Sequence, residues 1–182
     1  MTNSNLFIIS GGPGAGKTTS LLELEKFGFP EVPEAARQII QEQTQLGGTA
    51  LPWGDREAYT ALMLERSIDL FQRHTPASKP LFADCGIPDT LCYARLIGLR
   101  DVQSIENACR LYRYAPVVFL APPWSEIYET DSERKQDFAQ AERTYNLMAE
   151  VYQECGYRII SLPKVTRLAR AQFILERLHL GG

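Results

Sequence analysis

Gly11-Gly12-Pro13-Gly14-Ala15-Gly16-Lys17-Thr18 is the stretch that decides the fold. It satisfies G-x-x-x-x-G-K-[S/T] at every fixed position, the pattern of a phosphate-binding P-loop. The flanks agree with that reading. Leu6-Phe7-Ile8-Ile9 before it reads as a buried parallel strand, and Thr18-Thr19-Ser20-Leu21-Leu22-Glu23-Leu24 after it as a helix. Glycines carry no Cβ, so the backbone can close around a phosphate. Amide N–H groups then point inward, and the helix N-terminus adds partial positive charge. The expected nucleotide-binding set is Gly12, Pro13, Gly14, Ala15, Gly16, Lys17, Thr18 and Thr19. Lys17 would reach the β- and γ-phosphates and the Thr18 hydroxyl would hold Mg²⁺.

Composition narrows the class of protein further. At 182 residues the chain fits one domain, 1–182, with a sizeable core. A net charge of −3 argues against a partner bound by bulk positive charge, so no nucleic acid is expected. The apolar runs Leu6 to Ile9 and Val117 to Ala121 fall far short of the ~20 residues a membrane span needs. Cys85, Cys92, Cys109 and Cys155 have neither zinc nor C-x-x-C spacing. Reduced cysteines and a first strand with no leader before it point to a cytoplasmic protein, a monomer or homodimer.

Strands and helices alternate along the rest of the chain. Gly28 and Pro30 close the first helix, Glu31-Val32-Pro33 is a short second strand, and a helix runs from Glu34 to Gly47-Gly48. Asp55 is placed to cap a helix through Phe71. Leu81-Phe82-Ala83-Asp84 is a third strand, and helices follow over Asp89 to Leu99 and Asp101 to Tyr112. Pro116 to Leu120 is a fourth strand. A polar segment then leads to a long helix striped by Phe138, Ala141, Tyr145, Met148 and Tyr152. Tyr157 to Leu162 is the last strand, and Thr166 caps the last helix. Such alternation predicts an α/β fold, a parallel sheet covered on both faces, with its chemistry at the C-terminal edge of the strands.

The residues just past the strands are therefore the ones to read. Asp84 stands where the second P-loop carboxylate belongs and would hold Mg²⁺ with Thr18. The next residue is Cys85, not the glutamate of motor ATPases, and no N-K-x-D guanine-selecting motif is present. Glu34 follows the second strand. It can serve as the base that takes a substrate hydroxyl proton, or be a first-turn glutamate held by the helix dipole. Arg37, one turn on, can orient Glu34 or grip substrate. Arg134, in the polar segment 123–137, suits a lid whose cation closes over the phosphates, and Arg143 is a second choice. Lys164 and Val165, after the last strand, would cradle an adenine. Trp53 and Trp124 lie in loops; stacking on a planar substrate and packing against the core are both open to them, packing being the simpler. His74 and His179 read as surface residues.

The segments V-P-E-A-A-R-Q-I-I, L-P-W-G-D, F-A-D-C-G-I-P-D-T and D-S-E-R-K-Q, together with the P-loop, resemble the small AAA-type P-loop ATPase/kinase family that includes the nicotinamide riboside kinase domain of NadR. Glu34, Arg37, Asp84 and Arg134 match that domain's motifs. Its Tyr-Gly is Ala35-Ala36 here, and its second turn acid is Gly86. The resemblance implies a three-layer P-loop kinase fold with a five-stranded parallel sheet, in the order 2-3-1-4-5. It implies ATP and Mg²⁺ as cofactors, and Lys17, Glu34, Asp84 and Arg134 as catalytic groups. Substrate contacts are expected from Arg37, Trp53 and Asp55. Two functions follow as expectations. One is transfer of the ATP γ-phosphoryl group to a small hydroxylated acceptor, with nicotinamide riboside a candidate. The other is an ATPase or nucleotide-gated module that grips a protein or lipid partner.

Overall fold

The computed structural model describes residues 1–124 and 134–180, with the side chains of 134–137 left aside. Its elements alternate as the sequence predicts. They are β1 (Leu6–Ser10), α1 (Lys17–Lys26), β2 (Glu31–Val32), α2 (Ala35–Leu46), α3 (Arg56–Arg73), β3 (Leu81–Asp84), α4 (Ile87–Leu96), α5 (Gln103–Leu111), β4 (Val117–Leu120), α6 (Arg134–Glu154), β5 (Arg158–Ser161) and α7 (Arg167–Arg177). The five strands are parallel, in the order β2-β3-β1-β4-β5. This is the expected α/β sheet and the expected order.

β1 is central because its side chains are apolar in both directions. Leu6 and Ile8 enter one core cluster, Phe7 and Ile9 the other. Apolar residues from Leu6 to Ile9, pointing alternately to the two faces, are what a strand covered on both faces requires. The first cluster joins the sheet to α3, α4, α5 and α6 through Phe71, Leu91, Cys109 and Tyr152. The second joins it to α1 and α7 through Leu21, Leu24, Ile174 and Leu175. Three layers result, with α2 and α3 extending the first face through Ile39, Tyr59 and Met63.

Helix boundaries follow local chemistry. Asp55 accepts from the Ala58 N–H at 3.0 Å and starts α3; Thr166 accepts from the Ala169 N–H at 3.3 Å and starts α7. Gly47 ends α2 at φ 66°, a left-handed position where glycine has no Cβ penalty. The long helix α6 begins at Arg134, four residues before the apolar stripe starts at Phe138. The rest of the expected lid, 125–133, lies outside the described residues.

Candidate active site

The register of β1 sets the site. Ile9 pairs with Asp84 of β3, and Ser10 pairs with Leu120 of β4. The P-loop after β1 and the turn after β3 therefore leave the same edge of the sheet side by side. Gly11, Gly14 and Gly16 take φ of 145°, 75° and 80°, where L side chains are rarely found. A Cβ at Gly11 would also stand 2.7 Å from the Ala121 carbonyl oxygen. Gly16, left-handed, serves as the N-cap of α1, and no acidic residue occupies that helix's first turn. The loop thus presents helix N–H groups and a positive dipole end to the cavity it borders.

That cavity measures about 1470 Å³. Gly12 through Thr19, Glu34, Arg37, Asp84, Cys85 and Asp89 all line it. Lys17 Nζ donates to the Gly11 carbonyl at 2.7 Å and lies 3.3 Å from that of Gly12, so its ammonium is folded onto the loop. Burial disfavours the Lys17 charge, yet its pKa lies above the ordinary value because Asp84, Glu34, Asp89 and, once ionised, Cys85 surround it. Burial holds the Cys85 thiol well above its ordinary pKa, so the carboxylates supply that field near neutrality. The Thr19 hydroxyl bonds back to the Gly16 carbonyl at 2.9 Å.

Asp84 is only 6% exposed. Burial pushes its carboxyl up to about 6, Lys17 pulling down and Glu34 adding to the rise. The Cys85 thiol, 3.7 Å away, is the single side-chain donor to it among the described residues. A buried carboxylate with spare lone pairs, facing a hydroxyl at Thr18 across one cavity, is a hard-oxygen donor set that suits Mg²⁺. Among the described residues no cluster of three or more His, Cys, Asp or Glu could hold a metal. Two protein oxygens completed by phosphate and water are the usual arrangement for this ion.

Glu34 is the N-cap residue of α2, three-quarters buried, and Arg37 Nε lies 3.8 Å from its Oε2. It makes no side-chain cap hydrogen bond. Its carboxylate is therefore free of a cap hydrogen bond while standing at the N-terminal end of α2.

Other expected residues fall elsewhere. Asp55 spends its carboxylate on the α3 cap. Trp53 is 71% exposed, so it does not pack on the core, and it is not part of the cavity wall. Lys164 and Val165 are exposed in the loop between β5 and α7, away from the cavity wall. Arg134 is the first residue of α6; its side chain lies outside the described set. His74 is half-buried rather than superficial, because its Nδ1 meets the Leu70 carbonyl at 2.7 Å and closes α3. Met148 lines the cavity as well as packing on the core.

Two residues of the site carried no sequence signal. Asp89 is buried and accepts from the Gly86 N–H at 2.7 Å and from the hydroxyls of Ser10 and Tyr152. It thereby ties β1, α4 and α6 together beneath the cavity. Arg170 is 2% exposed. It donates from Nη1 to the Ala15 carbonyl at 2.8 Å and from Nε to the Pro163 carbonyl at 3.1 Å, and its guanidinium lies 5.7 Å from the centre of the Trp124 ring. It joins the P-loop to the β5–α7 loop. An amphipathic-helix pattern reserves such an inward position for an apolar residue, so only its cluster of carbonyl partners reveals it.

A glycine loop between a central parallel strand and a helix, facing a buried carboxylate on the neighbouring strand, defines a P-loop nucleotide-binding fold. The chain belongs to the AAA domain family, whose sequence profile matches residues 6–170. Solved structures agree on the fold. NadR in complex with NR superposes with a TM-score of 0.70 at 16% identity, over 96% of this chain and 50% of that one. Thymidylate kinase from Ehrlichia chaffeensis gives 0.65 at 15% identity, over 97% and 99% of the two chains. Shikimate kinase from Acinetobacter baumannii gives 0.52 at 17% identity, over 96% and 93%. No curated protein matches by sequence. The fold is thus the one these three proteins share. No helix among the described residues is long and apolar enough to cross a membrane.

Proposed function

We propose that the protein transfers the γ-phosphoryl group of ATP to a hydroxyl of a small acceptor. The observation that carries this reading is Glu34. It is a carboxylate not used as a helix cap, on the wall of the cavity that also holds Lys17 and Asp84. Loop amides and Lys17 bind the phosphates; Thr18 and Asp84 would hold Mg²⁺, which would supply charge neutralisation at the phosphates. Lys17 must leave the Gly11 carbonyl to meet the nucleotide, and its raised pKa keeps it cationic as it does so. Glu34 accepts the proton of the acceptor hydroxyl, whose oxygen bonds to phosphorus while ADP departs. Arg37, with Nε 3.8 Å from Oε2, orients the Glu34 carboxylate. Arg134 supplies the lid cation. The base of the nucleotide rests near Lys164 and Val165, a placement supported by Arg170, which ties their loop to the P-loop.

The fold alone is shared with kinases of dissimilar acceptors, so nicotinamide riboside enters as a candidate because NadR was solved with NR. The test is ATP consumption by purified protein with Mg²⁺, with and without a panel of acceptors that includes nicotinamide riboside. Acceptor-dependent ADP formation with a phosphorylated product is the expected result. Slow hydrolysis indifferent to every acceptor would sink the transferase reading and favour an ATPase or a nucleotide-gated module.

A further inference from the structure

Cys109 stands in the last turn of α5, and Cys155 directly follows the last residue of α6. They are far apart in the chain, yet the fold packs both into the core cluster on the sheet face opposite α1 and α7. The two thiols are hydrogen-bonded to each other, Cys109 donating to the Cys155 sulfur. Arg113 fixes the pairing. Its Nη1 donates to the Cys155 carbonyl at 2.7 Å and to the Cys109 carbonyl at 3.2 Å, so one guanidinium nitrogen holds both backbones. That guanidinium lies over the Tyr157 ring, 4.3 Å from its centre. The Arg113 backbone is itself bonded to Met1 and Asn3.

The two sulfurs differ in access and in charge. Cys109 is 3% exposed, whereas Cys155 is half-buried at the turn between α6 and β5. The hydrogen bond from Cys109 lowers the pKa of the Cys155 thiol against the cost of burial; Arg113 and Arg95 add to the fall and Glu154 opposes it. Glu154 is itself paired with Arg95 at 2.7 Å. The same thiol–thiol bond and burial hold Cys109 protonated. Thiolate, not thiol, is the nucleophile. Cys155 therefore reacts first, with a buried second thiol already against it. Cys92 offers a contrast: it is 1% exposed, and burial raises its thiol to about 12.

We propose that Cys109 and Cys155 form a reversible disulfide when the protein meets a hydroperoxide, with Cys155 the attacking and Cys109 the resolving sulfur. The Cys155 thiolate bonds to one peroxide oxygen, the O–O bond breaks, and the departing hydroxide takes a proton to become water. Cys155 is then a sulfenic acid. The Cys109 sulfur bonds to the Cys155 sulfur, the S–O bond breaks, and the hydroxyl leaves with the Cys109 proton as a second water. Two thiols are oxidised to one disulfide and one hydroperoxide is reduced. The bond joins α5 to the turn after α6. Neither cysteine belongs to the wall of the P-loop cavity, so the chemistry is independent of phosphoryl transfer.

The test exposes the whole folded chain, reduced beforehand, to a small molar excess of hydrogen peroxide. Thiols are then counted in denaturant and the peptides mapped by mass. Free thiols should fall from four to two, with the Cys109 and Cys155 peptides joined and the chain lighter by two hydrogens. Dithiothreitol should restore all four. Cys155→Ser should keep its remaining thiols through the same exposure. Cys109→Ser should instead give a sulfenic acid at Cys155, captured by dimedone. Four thiols persisting in the wild type, a disulfide between any other pair or between two chains, or a loss that dithiothreitol does not reverse would each overturn the proposal. So would thiol loss in Cys155→Ser at the wild-type rate. The wild-type map decides alone where a variant fails to fold.

Discussion

At the residue scale the site is a small set of carboxylates around one lysine. Lys17→Ala removes the only ammonium on the P-loop and should abolish transfer, read as ADP and phosphorylated acceptor; an active variant would remove the P-loop from the mechanism. Glu34→Gln keeps the shape but cannot take a proton. It should lower kcat at least about a hundredfold, the usual worth of a positioned base, with ATP affinity retained. Asp84 makes a pH prediction. Its folded pKa, about 6, lies above the ordinary carboxylate value because burial penalises the charge. The folded protein therefore holds that proton more tightly than the unfolded chain does. The stability this provides is complete below about pH 4 and lost as pH rises through about 6. Asp84→Asn should stabilise the ligand-free protein at pH 8 by up to ~3 kcal/mol, the gain fading toward pH 4. Denaturant titrations at the two pH values check it.

At the element scale the helix ends divide structural from chemical polar residues. Asp55 was expected to touch substrate from its position after L-P-W-G, but its carboxylate holds the first turn of α3. Asp55→Ala should cost ~1 kcal/mol of stability, typical of an N-cap, and leave the acceptor KM unchanged; a raised KM would restore its substrate role. Glu34 shows the opposite. It too is an N-cap residue, yet it caps nothing with its side chain. A one-dimensional pattern treats the two alike, because propensity for the first turn suits either use. Arg170 belongs to α7 but serves the P-loop. Arg170→Lys cannot reach the Ala15 and Pro163 carbonyls together, since one ammonium replaces a planar fork. It should raise the ATP KM and lower the melting temperature, and full ATP affinity in that variant would confine Arg170 to a structural part.

At the scale of the whole molecule, nucleotide binding should appear as stability. A ligand at about a hundred times its Kd adds ~2.7 kcal/mol to the folded state. Mg·ATP should therefore raise the melting temperature of the wild type, ATP with chelator less so, and Lys17→Ala should show no rise. A shift equal with and without Mg²⁺ would argue against Thr18 and Asp84 as metal ligands. The cavity between α3 and α4 is also a whole-molecule feature. Phe71 holds α3 to the sheet, Ile39, Tyr59 and Met63 pack α2 against α3, and the cavity runs between these helices and α4.

The P-loop, the alternation of strand and helix, the strand-end aspartate and the caps at Asp55 and Thr166 were legible in the amino-acid sequence. Each is a local pattern enforced by backbone chemistry: glycine where φ is positive, period two where a strand is covered on both faces, an oxygen where helix N–H groups lack partners. The tertiary structure alone decided which polar residues converge. It buried Arg170 under the P-loop, gathered Ser10 and Tyr152 on Asp89, left Trp53 in solvent, and set Thr90 and Tyr93 unpaired in a cavity wall. Those outcomes depend on contacts between residues far apart in the chain. Side-chain identity within one element carries no information about which partner, or which empty space, another element will bring to it.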